Sequence, residues 1–206
     1  MRRSTVATFA VNALLLCGCS PTNGDSSGRS QSAPAGALQS VFTDLSGGSC
    51  RKEIDRSDPN DTSYLVCPGV AGYALAVRPV DAGRVSIDVV DAAQHVFPLD
   101  YHEVVTRAMF TLSDKAEWRV ATTDGKQLPV ALVVGVLAHE DAGDPAKATH
   151  TYIAVAKISP NGACVTDRIP NDSRSADEVR KAADVAPQKE CVKPQPPMIR
   201  DGAVVR

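Results

Sequence analysis

Two neighbouring stretches of the chain alternate between apolar and polar side chains with a period of two. The first is Tyr73–Val80 and the second is Arg84–Val90, in which apolar positions alternate with Ser86 and Asp88. This period is typical of a β-strand with one face on the core and one in water. The short link Asp81–Gly83 contains a glycine, which favours a hairpin turn. The pattern therefore predicts an antiparallel hairpin with Ser86 and Asp88 on its solvent face.

Most of the other apolar runs are short and rich in valine, which favours strands. The run Leu128–His139 is apolar at almost every position, so we expect a central strand that is buried on both faces. Asp124 and Gly125 before it predict a tight hairpin turn. The charged segment Cys50–Thr62 predicts an exposed loop, and Pro98–Thr111 predicts an irregular segment with one helical turn. The other predicted strands are Ala37–Leu45, Ser63–Cys67, Glu117–Thr122, Thr149–Ser159 and Ala163–Ile169.

One segment near the C-terminus has helical periodicity. Ser173 or Ser175 can cap a helix that continues to Ala186, and acidic residues in its first turn complement the helix dipole. Pro187 ends this helix. We therefore expect an α+β fold, with a mainly antiparallel sheet built from hairpins and one C-terminal helix. Residues 192–206 predict a loosely ordered tail.

The N-terminus has the proportions of a bacterial export signal. Arg2 and Arg3 are followed by the apolar run Val6–Leu16, which is too short to span a bilayer. The run closes on Leu-Cys-Gly-Cys at 16–19, which resembles the lipobox of bacterial lipoproteins. The resemblance implies cleavage after Gly18 and acylation of Cys19 with palmitate-type chains. The alternative is an ordinary signal peptide that is cut by general signal peptidase.

The residues after the lipobox predict a location and a tether. By the same resemblance, Ser20 favours the outer membrane, where the protein would face the periplasm. The stretch Ser20–Gln39 is rich in small polar residues and proline, so it predicts a flexible tether before one β-rich domain at 40–191. Removal of residues 1–18 changes the formal net charge from −2 to −4. A mildly acidic chain without a basic run argues against nucleic acid as a partner.

Four cysteines remain after cleavage and acylation, and they predict two disulfides in an exported protein. Three connectivities are possible. We expect the sequential pairs, Cys50 with Cys67 and Cys164 with Cys191, because each closes a local loop between neighbouring elements. The mature chain contains no C-x-x-C pair, which argues against a zinc cluster or a redox site.

Several stretches together resemble a group of exported proteins from Gram-negative bacteria that has no established activity. They are CPGVAGYALAV at 67–77, Arg-x-Ser at 84–86, AEWRV at 116–120, AVAKIS at 154–159, ACVTDRI at 163–169 and the segment 175–184 that leads to the last cysteine. The resemblance covers most of Val41–Cys191. It implies one exported domain with two cysteine pairs, and it supplies no catalytic residue.

Two groups of polar residues are candidates for chemistry. His139 and His150 flank one loop together with Glu140 and Asp141, and two imidazoles with a carboxylate could bind Zn²⁺ or Cu²⁺. The alternative, which we favour, is that they are polar residues at strand ends. A second group could supply a general acid and base, although an ordinary exposed segment explains it better. That group consists of His95, Asp100, His102 and Glu103.

The sequence favours a non-enzymatic envelope lipoprotein that needs no cofactor. The hydrolase nucleophile elbow, the P-loop and the Rossmann glycine pattern are all missing from the chain. We expect a binding module whose partners are the membrane, through the lipid on Cys19, and another envelope protein or a soluble target such as an attacking lysozyme. A metal-dependent envelope enzyme that uses His139 and His150 is the alternative.

The lipobox generates a direct prediction for Cys19. Inhibition of lipoprotein signal peptidase should cause a longer precursor to accumulate, and Cys19→Ser should release the protein from the membrane fraction, because two or more acyl chains are needed for stable anchoring. Immunoblots of fractionated cells measure both effects. Unchanged processing, or a Cys19→Ser protein that stays bound to the membrane, would contradict the prediction.

Overall fold

The structure is a computed structural model that describes residues 37–81, 83–141, 143–144, 146–171 and 174–195, and the backbone of two short strands after them. The predicted signal peptide, Cys19 and the tether up to residue 36 lie outside the described residues. All described residues belong to one compact unit. The strands and helices are β1 (Gln39–Asp44), β2 (Arg51–Ile54), β3 (Ser63–Pro68), β4 (Ala74–Asp81), β5 (Arg84–Val90), β6 (Val96–Pro98), α1 (Tyr101–Val104), β7 (Met109–Thr123), β8 (Lys126–His139), β9 (His150–Ser159), β10 (Gly162–Pro170), α2 (Ala176–Asp184), a 3-10 turn (Ala186–Gln188), β11 (Met198–Arg200) and β12 (Ala203–Val205).

Ten strands form one mixed sheet. Their order is β10-β9-β8-β7-β5-β4-β3-β2, with β1 also paired to β7 and β6 also paired to β5. The pairings between neighbouring strands are antiparallel except one, in which Arg84 of β5 meets Phe110 of β7 in parallel. The expectation of a β-rich fold with one C-terminal helix and two disulfides is confirmed, and the sheet is mixed rather than purely antiparallel. The strands β11 and β12 form a separate pair.

The sheet folds back on itself around the larger of two apolar clusters. β6 lies beside β10, and β1 lies beside β3. The half that contains β1 and β7–β10 therefore faces the half that contains β2–β6. Fully buried side chains from both halves fill the space between them, among them Leu75, Ile87, Phe110, Trp118, Leu132 and Val136.

Trp118 lies fully buried in this core. Its indole N–H donates to Thr43 Oγ1 at 2.9 Å, and the Thr43 hydroxyl donates to the Pro68 carbonyl at 2.8 Å. One side chain thus connects β7, β1 and β3. Gly69 allows the close approach, since a Cβ there would lie 2.6 Å from the Trp118 ring.

The hairpin predicted from the alternating pattern is present as β4 and β5, but its predicted solvent face is wrong. Ser86 and Asp88 are buried. The Ser86 hydroxyl accepts a hydrogen bond from the backbone N–H of Tyr101, at the start of α1, and Asp88 accepts one from Arg78. The polar positions of β5 are therefore covered by α1 and by the Arg78 side chain instead of by water.

β8 is buried on both faces, as predicted. Leu132 and Val134 face the main core, while Ala131 and Val133 pack under α2 with Val179 and its neighbours. Helix α2 begins with a capping box between Ser175 and Glu178 and ends at Asp184, two residues before the predicted end. The 3-10 turn that contains Pro187 follows directly.

Two element boundaries differ from the expectations. The charged segment after Cys50 is not a loop throughout, because Arg51–Ile54 forms β2 and pairs with β3. The cross-strand hydrogen bond from the Tyr64 hydroxyl to Glu53 supports this pairing. β7 begins at Met109 rather than at Glu117, since Phe110 is buried against the core and continues the ladder with β8.

Both disulfides join the sequential cysteine pairs. Cys50 is bonded to Cys67, which ties the start of β2 to the end of β3. Cys164 is bonded to Cys191, which ties β10 to the segment after α2. The residues after Cys191 continue along the domain, where the backbone N–H of Val192 donates to Val165 and that of Gln195 donates to Glu103.

A partly buried ion pair lies on the outer face of β4 and β5. Arg78 Nε donates to the Asp88 carboxylate at 2.7 Å, a second guanidinium nitrogen donates to Asp55 at 3.0 Å, and the guanidinium stacks 3.7 Å from the Tyr64 ring centroid. Burial raises the pKa of the Asp88 carboxyl, and Arg78 opposes that shift. The carboxylate of Asp88 therefore depends on Arg78 for its charged form.

Replacement of Arg78 by methionine should leave a buried carboxylate without its cation. We expect a loss of about 2 kcal/mol in the free energy of unfolding at pH 7. The loss should shrink towards about pH 4.5, because a carboxyl whose pKa is raised by folding binds a proton more readily in the folded protein, so acid favours the folded form. Urea unfolding at the two pH values measures the change.

The double variant Arg78→Met/Asp88→Val should recover most of this stability, since it leaves no buried charge. Arg168→Met is the matched control, because Arg168 also stacks on a tyrosine, at 4.1 Å from the Tyr152 ring centroid, but is exposed. Its effect should be small. A pH-independent loss for Arg78→Met, or no recovery in the double variant, would contradict the account of this ion pair.

Candidate binding groove

A groove of about 430 Å³ crosses the outer face of the sheet beside the N-terminal end of α2. Its floor is mostly apolar and half-exposed. Two cations, Lys115 and Arg174, and one carboxylate, Glu117, lie at its margins. The other lining residues are Phe42, Ser113, Val133, Gly135, Leu137, Thr151, Ile153, Asn171, Ala176 and Val179.

The groove exists because α2 is too short to cover the strands under it. The nine residues of α2 span about 14 Å, whereas the 14 residues of β8 span about 47 Å. Alternate residues of β8 face outward, and α2 covers Ala131 and Val133 but leaves Gly135 and Leu137 accessible. On β9, Val155 is covered and Thr151 is not. The second half of the outer face therefore remains open.

A bulge in β7 forms one side of the groove. The pairing of β7 with β8 shifts register between Leu112 and Ala116. The Ser113 hydroxyl accepts a hydrogen bond from the Gly135 backbone N–H at 3.1 Å. A Cβ at Gly135 would lie 3.0 Å from Ser113, so the absence of a side chain there keeps both the bulge and the groove floor open.

The charges around the groove are unequally compensated. Glu117 is paired, since it accepts hydrogen bonds from Arg180 at 2.7 Å and from Ser40. Lys115 and Arg174 are exposed and make no ion pair within the part of the chain that the structure describes. Asp44 lies near Lys115 and Glu178 lies near Arg174, but hydrogen bonds from Ser46 and Ser175 already engage these two carboxylates. Each carboxylate partly offsets the cation beside it, but within the described residues neither forms an ion pair with that cation, so Lys115 and Arg174 remain available to carboxylates of a partner.

Phe42 adds an exposed aromatic ring at the end of the groove on β1. The side chain is 54% exposed although it sits in the middle of a strand, whose neighbour Thr43 is buried. Exposed apolar side chains are common one at a time, but this ring adjoins an apolar floor. Aromatic residues at such positions are enriched in protein interfaces.

The structure brings His139 and His150 to the ends of β8 and β9, beside the same loop. His150 Nδ1 lies 3.2 Å from the Glu140 carboxylate, whose other oxygen accepts hydrogen bonds from Thr106 and Tyr152. Burial, and then the hydrogen bond to Glu140, raise the pKa of the Tyr152 hydroxyl. The Glu140 carboxylate thus connects the end of β8 to the start of β9 and to Thr106. Within the described residues, no group of three or more His, Cys, Asp or Glu side chains is arranged to hold a metal ion.

The two imidazoles of the second polar group lie on different elements, His95 just before β6 and His102 in α1. His95 Nδ1 lies 2.8 Å from Asp91, while His102 Nε2 lies 3.2 Å from Glu103. Each imidazole therefore engages a different carboxylate. Glu103 is also bound by Arg107, which in turn donates to the Gln195 carbonyl. Glu103 and Arg107 thus hold the residues after the second disulfide against the domain.

No protein-family model, curated protein or solved structure matches the chain. Among the described residues, no helix is both long enough and apolar enough to cross a bilayer. The groove residues did not stand out in the sequence, because Leu137 and Ile153 belong to runs that predict ordinary buried strands. The length of α2 compared with β8 was the signal that could have located them.

The geometry of His150 generates a prediction about metal binding. His150→Ala should change the free energy of unfolding by less than about 0.5 kcal/mol, because the imidazole is 58% exposed. Zn²⁺ should not raise the melting temperature of the wild-type protein, since the described residues hold no group of three or more ligand side chains arranged around one point. Thermal unfolding with and without Zn²⁺ measures this. A Zn²⁺-dependent rise that both His139→Ala and His150→Ala abolish would establish the metal site instead.

Proposed function

We propose that the protein is a non-enzymatic lipoprotein of the bacterial envelope, and that its groove beside α2 is the docking surface for another envelope protein. Acyl chains on Cys19 anchor it in the outer membrane, and the predicted tether places the domain in the periplasm. The observation that carries the proposal is the half-covered outer face of the sheet, where an apolar floor remains open beside an exposed aromatic ring.

The export part of the proposal draws support from the cysteines and from the N-terminal pattern. Disulfides form and persist in oxidising compartments, such as the bacterial periplasm. Both described cysteine pairs are bonded. Together with the lipobox at 16–19, this favours a secreted and anchored protein over a cytoplasmic one.

The binding part draws support from the way the fold holds the groove. Arg119 is buried, donates to the Asp184 carboxylate at 2.6 Å and donates to the Leu38 carbonyl at 3.2 Å. It therefore fixes the end of α2 to β7 and to the first residues of the described domain. A preformed surface on rigid elements loses little conformational entropy when a partner binds.

Thr151→Trp tests the docking surface, because an indole at this half-exposed strand position would fill the groove without entering the core. The mature protein, fixed to beads and incubated with solubilised envelope, should retain a partner that the Thr151→Trp protein does not retain. Mass spectrometry with label-free quantification compares the two sets of bound proteins.

Thr122→Trp is the matched control, since it makes the same change at an exposed position near the C-terminal end of β7, outside the groove lining. This variant should bind the same proteins as the wild type. If Thr151→Trp and Thr122→Trp bind identical sets, the groove is not the docking surface. Equal melting temperatures for the three proteins confirm that the comparison concerns the surface and not folding.

A further inference from the structure

We infer that the groove accepts a short amphipathic helix with an acidic side chain near each end, an inference that rests on the proposed function. The groove crosses the strands rather than following one of them. Its lining runs from Phe42 on β1, across β7 and β8, to Thr151 and Ile153 on β9. Neighbouring strands lie about 4.8 Å apart, so three intervals give a length of about 14 Å. A helix of about ten residues has this length.

The floor of the groove excludes strand addition as the mode of binding. β8 pairs with β7 on one side and with β9 on the other, so its backbone groups are already bonded. An added strand needs an unpaired sheet edge. The floor instead offers side chains, namely Val133, Leu137 and Ile153, which suit the apolar face of a helix.

Helix α2 already packs on the same outer face of the sheet. It packs Val179 and Ala183 on Ala131, Val133 and Val155. The groove continues this surface along β8 and β9 beyond the N-terminal end of α2. Helices pack side by side at 8–10 Å, so a second helix can lie next to α2 on the uncovered part.

The two exposed cations favour acidic groups on the partner. Lys115 belongs to β7, next to the β1 end of the groove, and faces Asp44 in the strand register. Arg174 lies near the other end, because Asn171, three residues earlier, donates its backbone N–H to Thr151 of β9. An acidic side chain at each end of the bound helix can therefore form an ion pair with a cation of the groove. Glu117 adds little, since Arg180 already neutralises it.

The openness of the groove favours a protein segment over a fatty acid. Sites for small molecules bury most of the surface of the ligand. Here Phe42, Lys115 and Arg174 are all exposed, so one side of the groove faces solvent. A helix buries only its apolar face and leaves the rest in water, which fits such a surface.

A displayed library tests the chemistry of the partner directly. It presents one helix on a stable helical scaffold, with apolar residues at positions i, i+3, i+4 and i+7 and with Glu, Gln or Lys at each end. The bait is the mature chain from residue 20. We expect the selected helices to carry Glu at both ends. Their affinity should fall about tenfold for Lys115→Glu/Arg174→Glu, because two exposed ion pairs are lost.

The controls separate the groove from general electrostatics and from folding. Lys126→Glu/Arg168→Glu reverses two exposed cations elsewhere and should leave the affinity unchanged within about twofold. Lys115→Gln/Arg174→Gln should give an intermediate loss. Thr151→Trp should abolish binding of the selected helices. Each variant is first shown to have the melting temperature of the wild type.

Three results would overturn the inference: enrichment of Lys or Gln as often as Glu, equal binding by the Lys115→Glu/Arg174→Glu protein, or displacement of the selected helices by dodecanoate. The proposed function fails separately, when Thr151→Trp retains every envelope protein that the wild type retains. If Thr151→Trp loses an envelope partner but the library shows no preference for Glu, the docking surface stands and the acidic helix is wrong.

Discussion

The fold depends on the burial of one tryptophan between two halves of a sheet. Trp118 is fully buried, stacks edge-on against Tyr73, and directs its only hydrogen-bond donor at Thr43. The Thr43 hydroxyl in turn donates a hydrogen bond to the carbonyl of Pro68, which follows the disulfide-bonded Cys67. An indole N–H left without an acceptor in this core would cost on the order of 1–3 kcal/mol, so β1 and β3 must lie where they do.

The burial of Trp118 determines which side chains lie on the outer faces of the sheet. Because the inner faces of both halves close around Trp118, β8 and β9 must present Val133, Val155 and their outward neighbours to a separate layer. Helix α2 supplies that layer, and Arg119 and the capping box at Ser175 position it. Its nine residues cover part of the surface only. The groove is thus a direct consequence of the fold, and it needs no strained loop or movable lid.

The sequence pattern predicted an element well where its structure depends on residues next to it in the chain. Asp124 and Gly125 make a tight turn, and Ser175 caps α2, because both depend on neighbours in the chain. The prediction that Ser86 and Asp88 face water was wrong, since their burial depends on Arg78 and α1, which no local pattern places there. The strand β2 was missed because its charged residues resemble a loop, while its pairing depends on Cys67 and Tyr64 across the sheet.

Side-chain footprinting with hydroxyl radicals in intact cells tests the groove as a docking surface most directly. The labelling of Phe42 and Leu137 reports the accessibility of the groove, while that of Val80 and Leu128 reports exposed side chains away from it. Labelling in the envelope is compared with labelling of the purified mature protein. The account predicts that Phe42 and Leu137 are protected in the envelope while Val80 and Leu128 are labelled equally in both states. Equal labelling of Phe42 and Leu137 in the two states would contradict it.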